Sequence, residues 1–86
     1  MTTILTEAAP VILGGLLREI RIRANVTQKQ LADNLQIPQS TISKMETGER
    51  GVEVLELMRI CAALDVSFAD FVSRLQKTLI ETGESD

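Results

Sequence analysis

Apolar residues recur along this chain at steps of three and four, and no stretch keeps the alternation of two that a strand needs. In "LGGLLREIRIRAN" the spacing of Leu13, Leu16, Leu17 and Ile20 predicts a first helix, with Asn25 able to take the left-handed position that ends it. Thr27 reads as the N-cap of "QKQLADNL", whose Leu31, Ala32 and Leu35 face inward. "QIP" is a tight break, with Pro38 expected at the first position of a third helix running to Glu46 and stopped by Gly48. After "GERG", the segment "VEVLELMRICAAL" predicts a fourth helix with Val54, Leu57, Met58, Cys61 and Leu64 inward. Ser67 caps a fifth, along which Phe68, Phe71, Val72, Leu75 and Leu79 form a stripe. The fold class is all-α: a compact bundle of five helices over residues 12–80, preceded by an arm (1–11) and followed by the acidic tail "ETGESD" (81–86).

The third helix, within "PQSTISKMETG", does not fit a bundle built for packing alone. Only Ile42 and Met45 give it an apolar anchor, while Gln39, Ser40, Thr41, Ser43 and Lys44 are small or hydrogen-bonding. Two short helices joined by a tight turn, the second with a polar face, form a helix-turn-helix arrangement. In that arrangement the second helix enters the major groove of DNA, where base edges carry a distinct pattern of donors and acceptors.

Composition narrows the alternatives. The chain of 86 residues has no histidine and one cysteine, which removes Ser-His and Cys-His catalysis and the soft metal ligand sets, so no enzyme is expected. Cys61 cannot form an internal disulfide, reads as a buried packing residue, and favours a reducing, cytoplasmic setting. No apolar run is long enough for a membrane span, and "MTTILTEAAP" lacks the basic start of a secretory signal. The net charge is −3, but it is unevenly spread: residues 17–50 carry a surplus of two positive charges and residues 51–86 a surplus of four negative ones.

The segment "LGGLLREIRIRANVTQKQLADNLQIPQSTISKMETGERGVEVLELMRICAALDVS" resembles the lambda-repressor-like, Cro-type (XRE) helix-turn-helix family. "VTQKQLADNL" is similar to that family's T-Q-x-x-L-A opening, "QSTISKMETGER" to its recognition helix and loop, and "LELMRICAALDVS" to the packing helix that follows. The resemblance implies a sequence-specific DNA-binding transcriptional regulator acting as a homodimer on a palindromic operator, with double-stranded DNA as partner and no cofactor, metal or small-molecule substrate. It places Gln39, Ser40 and Lys44 at base-reading positions, and Gln28 at a phosphate. Thr41, Ser43 and Arg50 are further phosphate candidates. Arg21 and Glu46 match an internal ion pair, with Arg21 also near a phosphate.

Three residues depart from the family pattern. Gln36 and Asp65 stand where glycines are common in left-handed turns, which for glutamine costs about 1 kcal/mol. Glu49 stands where lysine is frequent, and a carboxylate there weakens binding to phosphates. Leu75, Leu79 and Ile80 extend the stripe begun by Phe68 and Phe71, so the end of the last helix, with Phe71, is expected to carry the dimer contact. A second reading is an antitoxin-type module that binds a toxin-like protein as well as, or instead of, DNA. A third is a helix-turn-helix retained only for assembly.

Overall fold

The computed structural model describes residues 8–84 and carries five helices: α1 (Ala8–Arg23), α2 (Gln28–Leu35), α3 (Gln39–Thr47), α4 (Val54–Ala63) and α5 (Phe68–Glu84). Three of the four connections use one device. Past α1, α2 and α4 the chain enters the left-handed region at Asn25 (φ 61°), Gln36 (φ 58°) and Asp65 (φ 58°). In each case the next residue donates its N–H five residues back: Val26 to Arg21, Ile37 to Ala32, and Val66 to Cys61. Each is a Schellman closure, and the β-branched residue that makes it packs on the core. "NVT", "QIP" and "DVS" are thus three copies of one punctuation mark: a left-handed stop, an apolar peg, and the residue before the next helix.

The helix starts differ. Thr27 and Gln30 form a reciprocal capping box at α2, and Ser67 accepts from the Asp70 N–H at α5. Pro38 lies one residue before α3 and not at its first position, with extended ψ of 145° and no side-chain cap. Its ring fixes φ but offers no acceptor, so the entry to α3 is set by the peg at Ile37 and the proline together.

The core is aliphatic: Leu16, Leu17 and Ile20 of α1, Leu31 and Leu35 of α2, Ile42 and Met45 of α3, Leu57, Ile60 and Cys61 of α4, with Phe71 of α5. Gly14 lets α1 and α3 approach closely, since a Cβ there would collide with the carbonyl oxygens of Met45 and Glu46. Gly48 (φ 85°) ends α3 against Val11. No helix among the described residues is long and apolar enough to cross a membrane.

Several details differ from the sequence reading. Ala8 to Val11, assigned to an arm, begin α1, and residues 1–7 lie outside the described residues. The helical part of the assigned tail runs to Glu84. Val54 and Met58 face solvent, at 66% and 45% exposure, and Ile60 takes the place on the inner stripe expected for them. Because "VLELMRICAA" is apolar on two sides, a period of three and four fits either stripe. Val72 also lies outward. Of the residues expected at a dimer contact, Phe71 and Leu79 are buried in the protomer itself, Leu75 is partly covered, and only Ile80 is well exposed.

Candidate nucleic-acid interface

The polar face of α3 is built outward from a buried ion pair. The Arg21 guanidinium donates to Glu46 from Nε (2.6 Å) and Nη2 (3.0 Å), and from Nη1 to the Val26 carbonyl (2.9 Å). Both residues are 8% exposed, and no buried side-chain nitrogen or oxygen among the described residues lacks a partner. Such a pair ties α1 to α3 and to the turn before α2, and its worth lies in being complete: either partner alone would be a buried unpaired charge.

Gln28, the first residue of α2, continues the pattern. Its side chain turns inward and donates from Nε2 to Glu46 Oε1 (3.0 Å). Gln28 Oε1 in turn accepts a long hydrogen bond from Gln39 Nε2 (3.5 Å), at the start of α3. A carboxylate can only accept, so Glu46 sets the direction of the whole relay. Gln28 must present its amide nitrogen inward and its oxygen outward, and Gln39 then spends one N–H on that oxygen. What Gln39 keeps for solvent is one N–H donor and one carbonyl acceptor, side by side. The amide orientations follow from this network.

Gln39, Ser40 and Lys44 are exposed on the outer face of α3, together with Thr47, while Thr41 and Ser43 are half-buried on its flanks. Thr47 bonds the Lys44 carbonyl (3.2 Å) and Glu49 (3.4 Å), and it lies one residue beyond the helix end expected at Glu46. A shallow concavity beside α3 is lined by Asn25, Thr27, Gln28, Lys29 and Gln39. Lys29 stands at its rim, one residue into α2, with an exposed ion pair to Asp33 (3.0 Å). The sequence carried that signal as a cation at a helix start, where free N–H groups and the helix dipole already favour an anion.

Two residues expected at phosphates, Arg21 and Arg50, make internal hydrogen bonds. Arg21 is held by Glu46 and Val26, is 8% exposed, and lies in the wall of the concavity beside α3. Arg50 makes a fork to Glu56 (3.1 and 2.9 Å) and a further bond to the Gly51 carbonyl, strapping the loop between α3 and α4. That fork, with the Glu53 N–H donating to Glu56 as well, holds the Glu56 carboxyl below the ordinary glutamate value and Arg50 above that of arginine. The Arg50 fork was not legible in the sequence, since it depends on which way a long side chain turns across a loop.

Comparison with known proteins places this geometry. A family model described as helix-turn-helix matches residues 17–71. An XRE-family-like protein from Pseudomonas syringae pv. tomato is 38% identical over 83% of this chain and 87% of its own, with a TM-score of 0.75. The clp gene regulator ClgR from Corynebacterium glutamicum is 26% identical over 90% of this chain and 82% of its own, with a TM-score of 0.79. The restriction-modification controller protein C.AhdI from Aeromonas hydrophila is 28% identical over 74% of this chain and 97% of its own, with a TM-score of 0.70. No curated protein sequence is significantly similar. With the match covering both helices of the motif and the helices that brace it, the chain belongs to the lambda-repressor-like, Cro-type (XRE) helix-turn-helix family of DNA-binding regulators.

Proposed function

We propose that this protein is a transcriptional regulator that reads a two-fold-symmetric operator as a homodimer, with α3 in the major groove. The observation that carries the reading is the relay from Arg21 through Glu46 and Gln28 to Gln39. It holds a donor and an acceptor side by side at the exposed start of α3, and among the bases adenine offers the matching N7 acceptor and N6 donor. Lys44, one turn beyond Ser40 on the outer face, donates to guanine O6 or N7. Thr41, Ser43, Lys29 and the free N–H groups at the start of α2 face the phosphates. Gln28 acts chiefly by orienting Gln39, with its helix-start position near the backbone.

In vitro selection of bound DNA from a random pool tests this. The expected product is a palindrome with an adenine in each half-site. Lys44→Ala then relaxes preference at one position per half-site, worth about 1–3 kcal/mol there. Equal weakening on every sequence would make Lys44 a phosphate ligand, and a pool that never converges would remove base reading altogether.

A further inference from the structure

Helix α4 packs on α2 and α5. Two of its side chains, one turn apart, also reach the two turns that flank α3. On the exit side Glu56 accepts the fork from Arg50, in the loop that follows Gly48. On the entry side Arg59 donates from Nη2 to the Leu35 carbonyl (3.1 Å), at the turn between α2 and α3. Leu35, Ile37, Met45, Glu56, Arg59 and Ile60 line one small cavity of about 20 Å³, so both links and the Ile37 peg share a single seam.

The Arg59 link falls on the most constrained peptide of the entry turn. The N–H groups of Gln36 and Ile37 close on Asp33 and Ala32, which leaves the Leu35 carbonyl without a backbone donor among the described residues. Helix ends leave such carbonyls to side chains or water. This one belongs to the planar peptide that leads into Gln36, the strained left-handed residue (φ 58°). Holding its oxygen holds the whole peptide plane, and with it the direction in which the chain leaves α2 for α3.

We propose that Arg59 and Glu56 are positioning residues, through which α4 grips α3 at both ends and fixes how its polar face is presented to base edges. The proposal rests on the reading of α3 above and names the residues that aim it. Along its buried side α3 is held by Ile42, Met45 and Glu46, none of which fixes where its two ends lie. Paired hydrogen bonds to a base edge need close alignment, whereas contacts to phosphates carry no sequence information. A small displacement of either end is therefore felt first in base preference. Arg59 is itself exposed, so removal of its guanidinium leaves no void in the core.

The test uses the full chain with Arg59→Met, Arg59→Lys and Glu56→Gln. Melting temperature reports whether each variant folds, and amide hydrogen exchange followed by NMR reports α3 and α5 separately. Binding is measured, at several salt concentrations, to the palindrome selected from the random pool and to the same duplex with one base pair changed in each half-site. In Arg59→Met, the α3 amides are expected to exchange about tenfold faster while those of α5 are unchanged. Preference for the matched duplex falls about fivefold or more, and the slope of log K against log salt is unaltered because no phosphate contact is removed. Glu56→Gln keeps an acceptor for the Glu53 N–H but loses the charged fork, and shifts the same two readings less. Arg59→Lys retains a donor for the Leu35 carbonyl and recovers part of both. Equal acceleration in α3 and α5 with equal loss on both duplexes overturns the proposal, as does Arg59→Met leaving exchange and preference unchanged. A salt slope reduced by about 1 with preference intact overturns it too, by making Arg59 a phosphate ligand. If no chain distinguishes the duplexes, the operator reading fails, and faster exchange confined to α3 and its flanking turns still supports the grip.

Discussion

At the scale of single residues, Glu46 anchors the interface, because three donors converge on its two oxygens and all lie beneath the polar face of α3. Glu46→Ala strands the Arg21 guanidinium in a site that is 8% exposed. The expected loss is about 3 kcal/mol or more, which for a domain of this size lowers Tm by roughly 12 °C or more in a thermal melt. Its neighbours predict a different signature. If Gln28 acts by orienting Gln39, then Gln28→Ala and Gln39→Ala should weaken preference at the same base. The double variant should then be little worse than either alone, a coupling that a double-mutant cycle on matched and mismatched operators measures directly. Additive losses would make Gln28 an independent phosphate contact. The identities of Arg21 and Glu46 could be paired from sequence through the family resemblance. The inward turn of Gln28 could not, because an amide at a helix start has the same spacing whichever way it points.

At the scale of helices and turns, the three left-handed stops were largely legible, and one of them is strained. Asparagine and aspartate tolerate this conformation through their short polar side chains, but glutamine has no such help. Gln36→Gly should therefore stabilise by about 1 kcal/mol, raising Tm by roughly 4–8 °C, while Asn25→Gly gives a smaller gain. The loop after α3 has its own pH dependence. Hydrogen bonds from Arg50, and then from the Glu53 N–H, lower the folded-state pKa of Glu56. A lowered carboxyl contributes stability that is whole above the unfolded value, about 4.3, and is lost as pH falls through the lower folded value. Glu56→Gln should flatten that acid limb in melts taken across this range. Some slope remains, since Glu19 is lowered in the same way, first by its hydrogen bond from Arg74. Helix α4 marks where legibility ended: two apolar stripes at the same period cannot be ranked until the neighbouring helices choose one.

At the scale of the whole molecule, charge is divided by region. The surplus of negative charge lies in residues 51–86, while residues 17–50, which hold the motif, are net positive. With Arg21 and Arg50 tied internally, few cations remain to displace counterions, so the dependence of affinity on salt should be shallow. Lys29→Ala should reduce the slope of log K against log salt by about 1 and leave base preference unchanged. An unaltered slope would take Lys29 out of the interface. The packing of α3 adds a calorimetric consequence. A helix of nine residues is too short to persist alone, yet this one rests on α1 with backbone against backbone at Gly14 and is bolted there by Glu46. The surface proposed to meet DNA is thus fully formed beforehand, and titration of operator at several temperatures should give a heat-capacity change set by contact area, without the larger negative value that accompanies folding on binding.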